Sequence, residues 1–223
     1  ATGKLREVRG ASLLLTDLNR RLTWQRIQEV CPESQKVFFA GGSGAIVVPS
    51  ESDAHAVIVA VEEIYREQTF SAAVTGASIE LTEDWDTTSF GKWMEIAALR
   101  LREQKDKKAR RILAAIEPYT QPCTACERFP AAYVSPVDQQ PVCESCHAKR
   151  RCEHDRENEE MSQQVVNPAT PRVPEDLGTL GEVSHPPGYI GFIYADGNNM
   201  GEHLVELENL QDYQEFADGL DKL

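Results

Sequence analysis

Four of the six cysteines in this 223-residue chain fall into two Cys-x-x-Cys pairs, Cys123/Cys126 and Cys143/Cys146, with 16 residues between them. Two short loops at this spacing can present four thiolates to the corners of a tetrahedron, the arrangement Zn²⁺ favours. A closed set of four sulfurs leaves no position for a reactive water, so the chemistry expected is structural zinc binding. The alternatives are two local disulfides or four reduced core thiols. Six cysteines are too few for a disulfide scaffold, and a reducing cytoplasm is the expected compartment. His147, Cys152 and His154 stand near enough in sequence to compete as ligands but are expected to be bystanders. Cys31 is expected to be a buried structural thiol.

Asp196 is the second candidate. It closes an apolar run, Gly188 to Ala195, and is followed by Gly197, Asn198, Asn199, Met200 and Gly201. A carboxylate leaving a buried strand edge can hold Mg²⁺, and the backbone amides of a following helix N-terminus can cradle phosphates. Asp-Gly and Asn-Asn are also ordinary turn and helix-cap material, and that reading stays open.

The elements that must position these groups follow from periodicity. Leu14, Leu18 and Leu22 recur at helical spacing after Ser12, and Ala54, Val57, Ile58, Val61, Ile64 and Tyr65 do so after Ser52, read as an N-cap. Between them, Lys36 to Ala40 and Ala45 to Val48 flank Gly41, Gly42, Ser43 and Gly44, which reads as a hairpin with a glycine turn. Phe70 to Leu81 is a further strand candidate, and Phe90 to about Ala115 reads as a long helix. Helix, hairpin, helix, strand is the order of a ferredoxin-like βαββαβ unit lacking its first strand, the unit of polymerase and cyclase palm domains. Residues 153–187 hold five prolines, no aromatic residue and a net charge of −6, the composition of a disordered linker. Tyr189 to Ala195 and Leu204 to Leu220 then read as a strand and an acidic helix opening a second palm.

The expected fold class is therefore α+β, with a degenerate first palm at 1–87 and a long basic helix at 88–118. A zinc-binding segment at 119–152, an acidic linker at 153–187 and the start of a second palm at 188–223 follow. The formal net charge of −13 argues at first against a nucleic-acid or anionic-membrane binder. Yet residues 1–152 hold 20 acidic and 20 basic side chains, and residues 153–223 hold 16 acidic and 3 basic, so all of the excess lies in the last third. Arg100, Arg102, Lys105, Lys107, Lys108, Arg110 and Arg111 form a local basic stripe. No apolar run approaches the roughly 18 residues a membrane helix needs, so no membrane partner is expected. The start shows no basic segment followed by an apolar core, so no signal peptide is expected.

The stretch from Lys4 to Leu14, the Phe-Phe-Ala-Gly-Gly-Ser-Gly hairpin at 38–44, the paired Cys-x-x-Cys segment and Tyr194-Ala-Asp-Gly-Asn-Asn-Met-Gly201 occur in the order of one family. Taken together, the chain resembles the large palm-domain subunit of type III CRISPR-Cas complexes and its stand-alone relatives, the CRISPR polymerases. The resemblance covers most of the chain outside the linker and rests on the order of the motifs. It implies two palms flanking a zinc segment, the second using two Mg²⁺ or Mn²⁺ ions to join ATP into cyclic oligoadenylates that activate downstream defence effectors. On it, Asp196 matches a metal-ligand aspartate, and Asn198 stands where many members carry a second acid. Residues 197–201, with Gly41, Gly42 and Ser43, become nucleotide-binding candidates. The first hairpin has Ser43 and Gly44 where the acidic version reads Gly-Gly-Asp-Asp, so it is not expected to hold catalytic metal. Two-metal catalysis needs carboxylates for both ions. With one good candidate, the chain as it stands is expected to be inactive, the missing acidic hairpin being expected beyond Leu223. The alternative is a catalytically degenerate palm and zinc-ribbon scaffold that binds nucleotide, RNA or other CRISPR complex subunits.

Overall fold

A computed structural model of the chain describes residues 3–40, 42–82, 84–87, 89–108, 119–166, 177–182, 184–191 and 200–220. The fold is mixed α+β, mostly helical, with two small two-stranded sheets. The chain divides into two compact units. One comprises Ala1–Thr16, Gln68–Ser71 and Ile112–Ala195; the other comprises Asp17–Glu67, Ala72–Arg111 and Asp196–Leu223.

The second unit is built on the hairpin of β1 (Gln35–Ala40) and β2 (Ser43–Val47). Ala40 pairs with Ser43, leaving a two-residue loop in which Gly42 takes φ +78°, the left-handed value that glycine adopts without steric cost. The register shifts between Lys36 and Phe38, a bulge at Val37. Strand alternation then divides the side chains between two helical layers. Phe39, Ile46 and Val48 pack with Ile27, Cys31 and Val57 of the segment around α2 (Thr23–Val30) and of α3 (Glu51–Thr69). Val37, Phe38, Ala45 and Val47 pack with Phe90 of α4 (Phe90–Lys107), Leu204 of α7 (Met200–Glu206), and Leu210 and Tyr213 of α8 (Leu210–Leu220). Helices thus cover both faces of the hairpin, and the Cys31 thiol is buried as expected.

Several local expectations are corrected. Helix α1 (Gly3–Asp17) begins well before Ser12 and runs through a π-helical turn at Leu18–Leu22 into α2. Ser50, not Ser52, caps α3: the Asp53 amide donates to Ser50 Oγ at 3.2 Å and Ser50 Oγ donates to the Asp53 carboxylate at 2.6 Å, which fixes the start. Residues 72–82 form no strand ladder. Gly76 lies so close to α3 that an added Cβ would fall 2.6 Å from Ile58 Cγ1, so this stretch is packed against a helix instead. The expected helix from Leu204 to Leu220 is broken at residues 207–209. Asn209 Oδ1 accepts from the Asp212 amide at 2.8 Å and starts α8 afresh. The basic helix α4 ends at Lys107; Arg110 and Arg111 lie outside the described residues.

The first unit holds a short ribbon, β3 (Tyr133–Val134) and β4 (Pro141–Val142), followed by α5 (Glu144–Val166) and α6 (Leu177–Glu182). Helix α5 carries the chain to Val166, so the segment expected to be disordered from residue 153 is helical in its first part, with Glu153 fully buried. Linker composition misled there because it averages over a run whose charges have partners at one end.

Candidate metal centre

The ribbon brings the four cysteines together. Cys123 and Cys126 occupy the first knuckle, in which the Glu127 amide donates to the Cys123 carbonyl at 2.9 Å and the Cys123 amide donates to the Phe129 carbonyl at 2.9 Å. Glu127 takes φ +57°, turning the chain sharply after Cys126. Pairing of Val142 with Tyr133 then delivers Cys143 and Cys146 on the second knuckle. Cys143 immediately precedes α5 and Cys146 lies in its first turn, so both sit where the unpaired amides of the helix start point.

The four sulfurs lie within 4.8 Å of one another, with 3.8 Å between Cys126 Sγ and Cys143 Sγ. Four sulfurs each about 2.3 Å from a tetrahedral Zn²⁺ must sit about 3.8 Å apart, far beyond the roughly 2.05 Å of a disulfide. All four cysteines are free thiols, which removes the local-disulfide alternative. The donor set and its spacing therefore fit a closed site that could hold a metal ion such as zinc. Val142, Ala125 and Phe129 pack around the sulfurs and shield them from water.

Electrostatics separate the four positions. Burial pushes the Cys123 thiol up, but the backbone amides of Cys126, Cys143 and Ala125 aimed at its sulfur outweigh burial and bring it down to about 7. Burial raises Cys143, and burial together with the neighbouring thiolates raises Cys146. Ligation requires all four as thiolates, and that much negative charge packed this closely is stable only around a cation.

His147, Cys152 and His154 stay outside the cluster, as expected. The His147 ring stacks on Tyr133 with centroids 4.8 Å apart, and the His154 imidazole lies beside the Asn158 amide at 3.3 Å. Behind the second knuckle lies a charged network that the sequence did not announce. Arg150, nearly buried on α5, contacts Glu7 of α1 at 2.6 Å and grips both carboxylate oxygens of Asp138 in the ribbon turn at 2.7 and 2.9 Å. Fully buried Glu153 receives Arg9 of α1 at 2.7 Å and Arg156 at 2.8 Å. The i, i+3 spacing of Arg150, Glu153 and Arg156 was the available signal, but charge runs of this kind usually mark a solvated face.

The expected nucleotide site is not assembled among the described residues. Asp196, Gly197, Asn198 and Asn199 lie outside them, as does Gly41, while Met200 and Gly201 open α7. Gly42 and Ser43 form the exposed hairpin tip, and Gly44 sits on β2 beneath the Phe39 ring. No described helix is long and apolar enough to cross a membrane. No family model matches the chain, and no curated protein matches it.

Proposed function

We propose that this chain is a zinc-bearing part of a palm-type nucleotidyltransferase of prokaryotic antiviral defence. The full-length protein would act in the cytoplasm, joining ATP into cyclic oligoadenylates by two-metal catalysis. The observation that carries the reading is the order of parts: a glycine-turn hairpin leading directly into α3, then the long helix α4, then a four-thiolate centre, then the Asp196 motif. Zn²⁺ in the thiolate centre is structural, because four sulfurs leave no open coordination position. Asp196 would be the residue to hold catalytic Mg²⁺ or Mn²⁺, and residues 197–201 would be the nucleotide-binding segment. A metal-activated attacking hydroxyl requires no side-chain base.

The deciding experiment incubates full-length protein with ATP and Mg²⁺ or Mn²⁺ and compares Asp196→Ala. Oligoadenylate formation lost in the variant supports the reading, and unchanged product removes Asp196 from the mechanism. A second reading, a catalytically degenerate scaffold, is favoured by the hairpin tip, where Ser43 and Gly44 stand in place of acids and Phe39 covers Gly44. Full-length protein that makes no oligonucleotide but binds ATP, RNA or CRISPR subunits selects this second reading.

A further inference from the structure

Helix α5 does two things within three turns. Its start carries Cys143 and Cys146, and its next turns carry the groups that receive the N-terminal helix. Gly10 of α1 lies against the Lys149 backbone so closely that an added Cβ would sit 2.7 Å from the Lys149 carbonyl carbon. On either side of this crossing Glu7 meets Arg150 at 2.6 Å and Arg9 meets Glu153 at 2.7 Å. Arg150 also holds Asp138, which belongs to the turn joining the two knuckles. One guanidinium therefore ties together the helix bearing two metal ligands, the loop between the ligand pairs, and α1.

A metal that fixes the two knuckles also fixes the position of Asp138 relative to Arg150. With Arg150 oriented, Glu7 finds its partner, and α1 is seated with Arg9 over Glu153. A buried carboxylate such as Glu153 is strongly disfavoured once a cationic partner leaves. Loosening α1 therefore destabilises this stretch of α5 and the ligands at its head. Partners behind metal ligands commonly tune affinity in this way. We infer that metal occupancy at the four-thiolate centre and the seating of α1 on α5 are reciprocally linked, with Glu7, Arg9, Arg150 and Asp138 as positioning residues. The inference rests on the zinc reading of the centre.

The linkage requires that α1 binding and zinc binding strengthen each other by the same factor. The experiment uses the full chain loaded with Zn²⁺ and stripped with EDTA. In the unmodified protein, removal of zinc should raise amide hydrogen exchange across residues 7–16. Glu7→Gln and Gly10→Val, which touch no ligand, should speed zinc release to a colorimetric chelator by about 10- to 100-fold. Both should lower the thermal midpoint of the loaded protein while leaving the stripped protein nearly unchanged. Arg100→Ala, which removes an exposed pair with Glu103 on α4, is the control and should change none of these.

A packing role alone would lower both midpoints equally and leave zinc release unaltered, and that result overturns the linkage. Should the variants fail to fold, the exchange comparison on unmodified protein decides: α1 exchange insensitive to zinc overturns the inference. Protein that takes up no Zn²⁺ on titration overturns the zinc reading itself and the linkage with it. Protein that binds zinc normally but shows no response in α1 overturns the linkage alone.

Discussion

The Phe39 ring occupies the space that a side chain at Gly44 would need: a Cβ there would lie 2.6 Å from Phe39 Cε1. The two residues face each other across the hairpin, and the ring is further confined by Trp24, 6.0 Å away between centroids, and by the Lys36 ammonium, 5.5 Å from its centre. Aromatic cover of a cross-strand glycine stabilises the pair and closes the position to larger residues.

Restoring an acid at this hairpin should therefore fail. Gly44→Asp must displace Phe39 from its contacts with Trp24, at a cost of about 1–3 kcal/mol typical of overpacking. Calorimetry with Mg²⁺ or Mn²⁺ should detect no new binding, and urea unfolding should show the loss of stability. Tight divalent binding by the variant, with stability retained, would show that the hairpin can still serve as a catalytic loop.

Gly91 is a further glycine whose absence of a side chain is structural. The amides of Phe90 and Gly91 donate to the carbonyls of Glu208 and Leu207 at 2.9 and 2.8 Å, so the start of α4 is capped by the chain that leaves α7. A Cβ on Gly91 would stand 2.6 Å from the Val205 carbonyl oxygen. Backbone cannot move aside as a side chain can, so Gly91→Ala should cost several times the roughly 1 kcal/mol that the same change gains in an open helix. Hydrogen exchange in α7 and α8 should rise sharply in the variant. An unchanged exchange pattern would show that this crossing contributes little.

The metal cluster was legible in the sequence because short-range spacing alone dictates it: two Cys-x-x-Cys knuckles joined by a ribbon have few ways to arrange their sulfurs. The hairpin was legible for the same reason, since Gly41 and Gly42 stand between two short apolar runs rich in β-forming residues. The third strand was misread because residues 72–81 have strand-like composition, but strand composition does not supply a ladder partner, and Gly76 lets the stretch approach α3 closely. The helix continuing past residue 153 was not legible because Glu153, Arg156 and their neighbours look like linker charges until α1 packs against them. Pairings such as Glu7 with Arg150, 143 residues apart, leave no local periodicity to read.

Proton release should accompany metal uptake. Cys143 and Cys146 are raised by burial, so in metal-free protein both remain protonated at pH 8, while Cys123, near 7, is already mostly thiolate. Metal binding requires the thiolates and must expel at least the two protons of Cys143 and Cys146 at that pH. As pH falls below about 7, Cys123 gains a proton that must also be expelled, so apparent affinity falls more steeply with acidification. Calorimetric titration of stripped protein with Zn²⁺ in buffers of different ionisation enthalpy counts these protons. Fewer than two at pH 8 would contradict the assigned electrostatics.

The ligand set itself can be tested by comparing neighbours that differ only in position. Cys146 and Cys152 both lie on α5, but only the first has its sulfur in the cluster. His147 follows Cys146 directly, yet its ring is stacked on Tyr133. Cys146→Ser replaces a soft thiolate with a hydroxyl that stays protonated, so the variant should hold well under one equivalent of zinc. It should also lose cooperative unfolding of the ribbon, since metal binding at such sites contributes directly to folding. Cys152→Ala and His147→Ala should each retain about one equivalent after purification without chelator. Replacing zinc with Co²⁺ separates the cases further: four sulfurs give intense thiolate-to-cobalt absorption in a tetrahedral field, whereas an imidazole in the set shifts the spectrum when His147 is removed. A cobalt spectrum altered by His147→Ala but not by Cys146→Ser would reassign the fourth ligand from the Cys146 thiolate to the His147 imidazole.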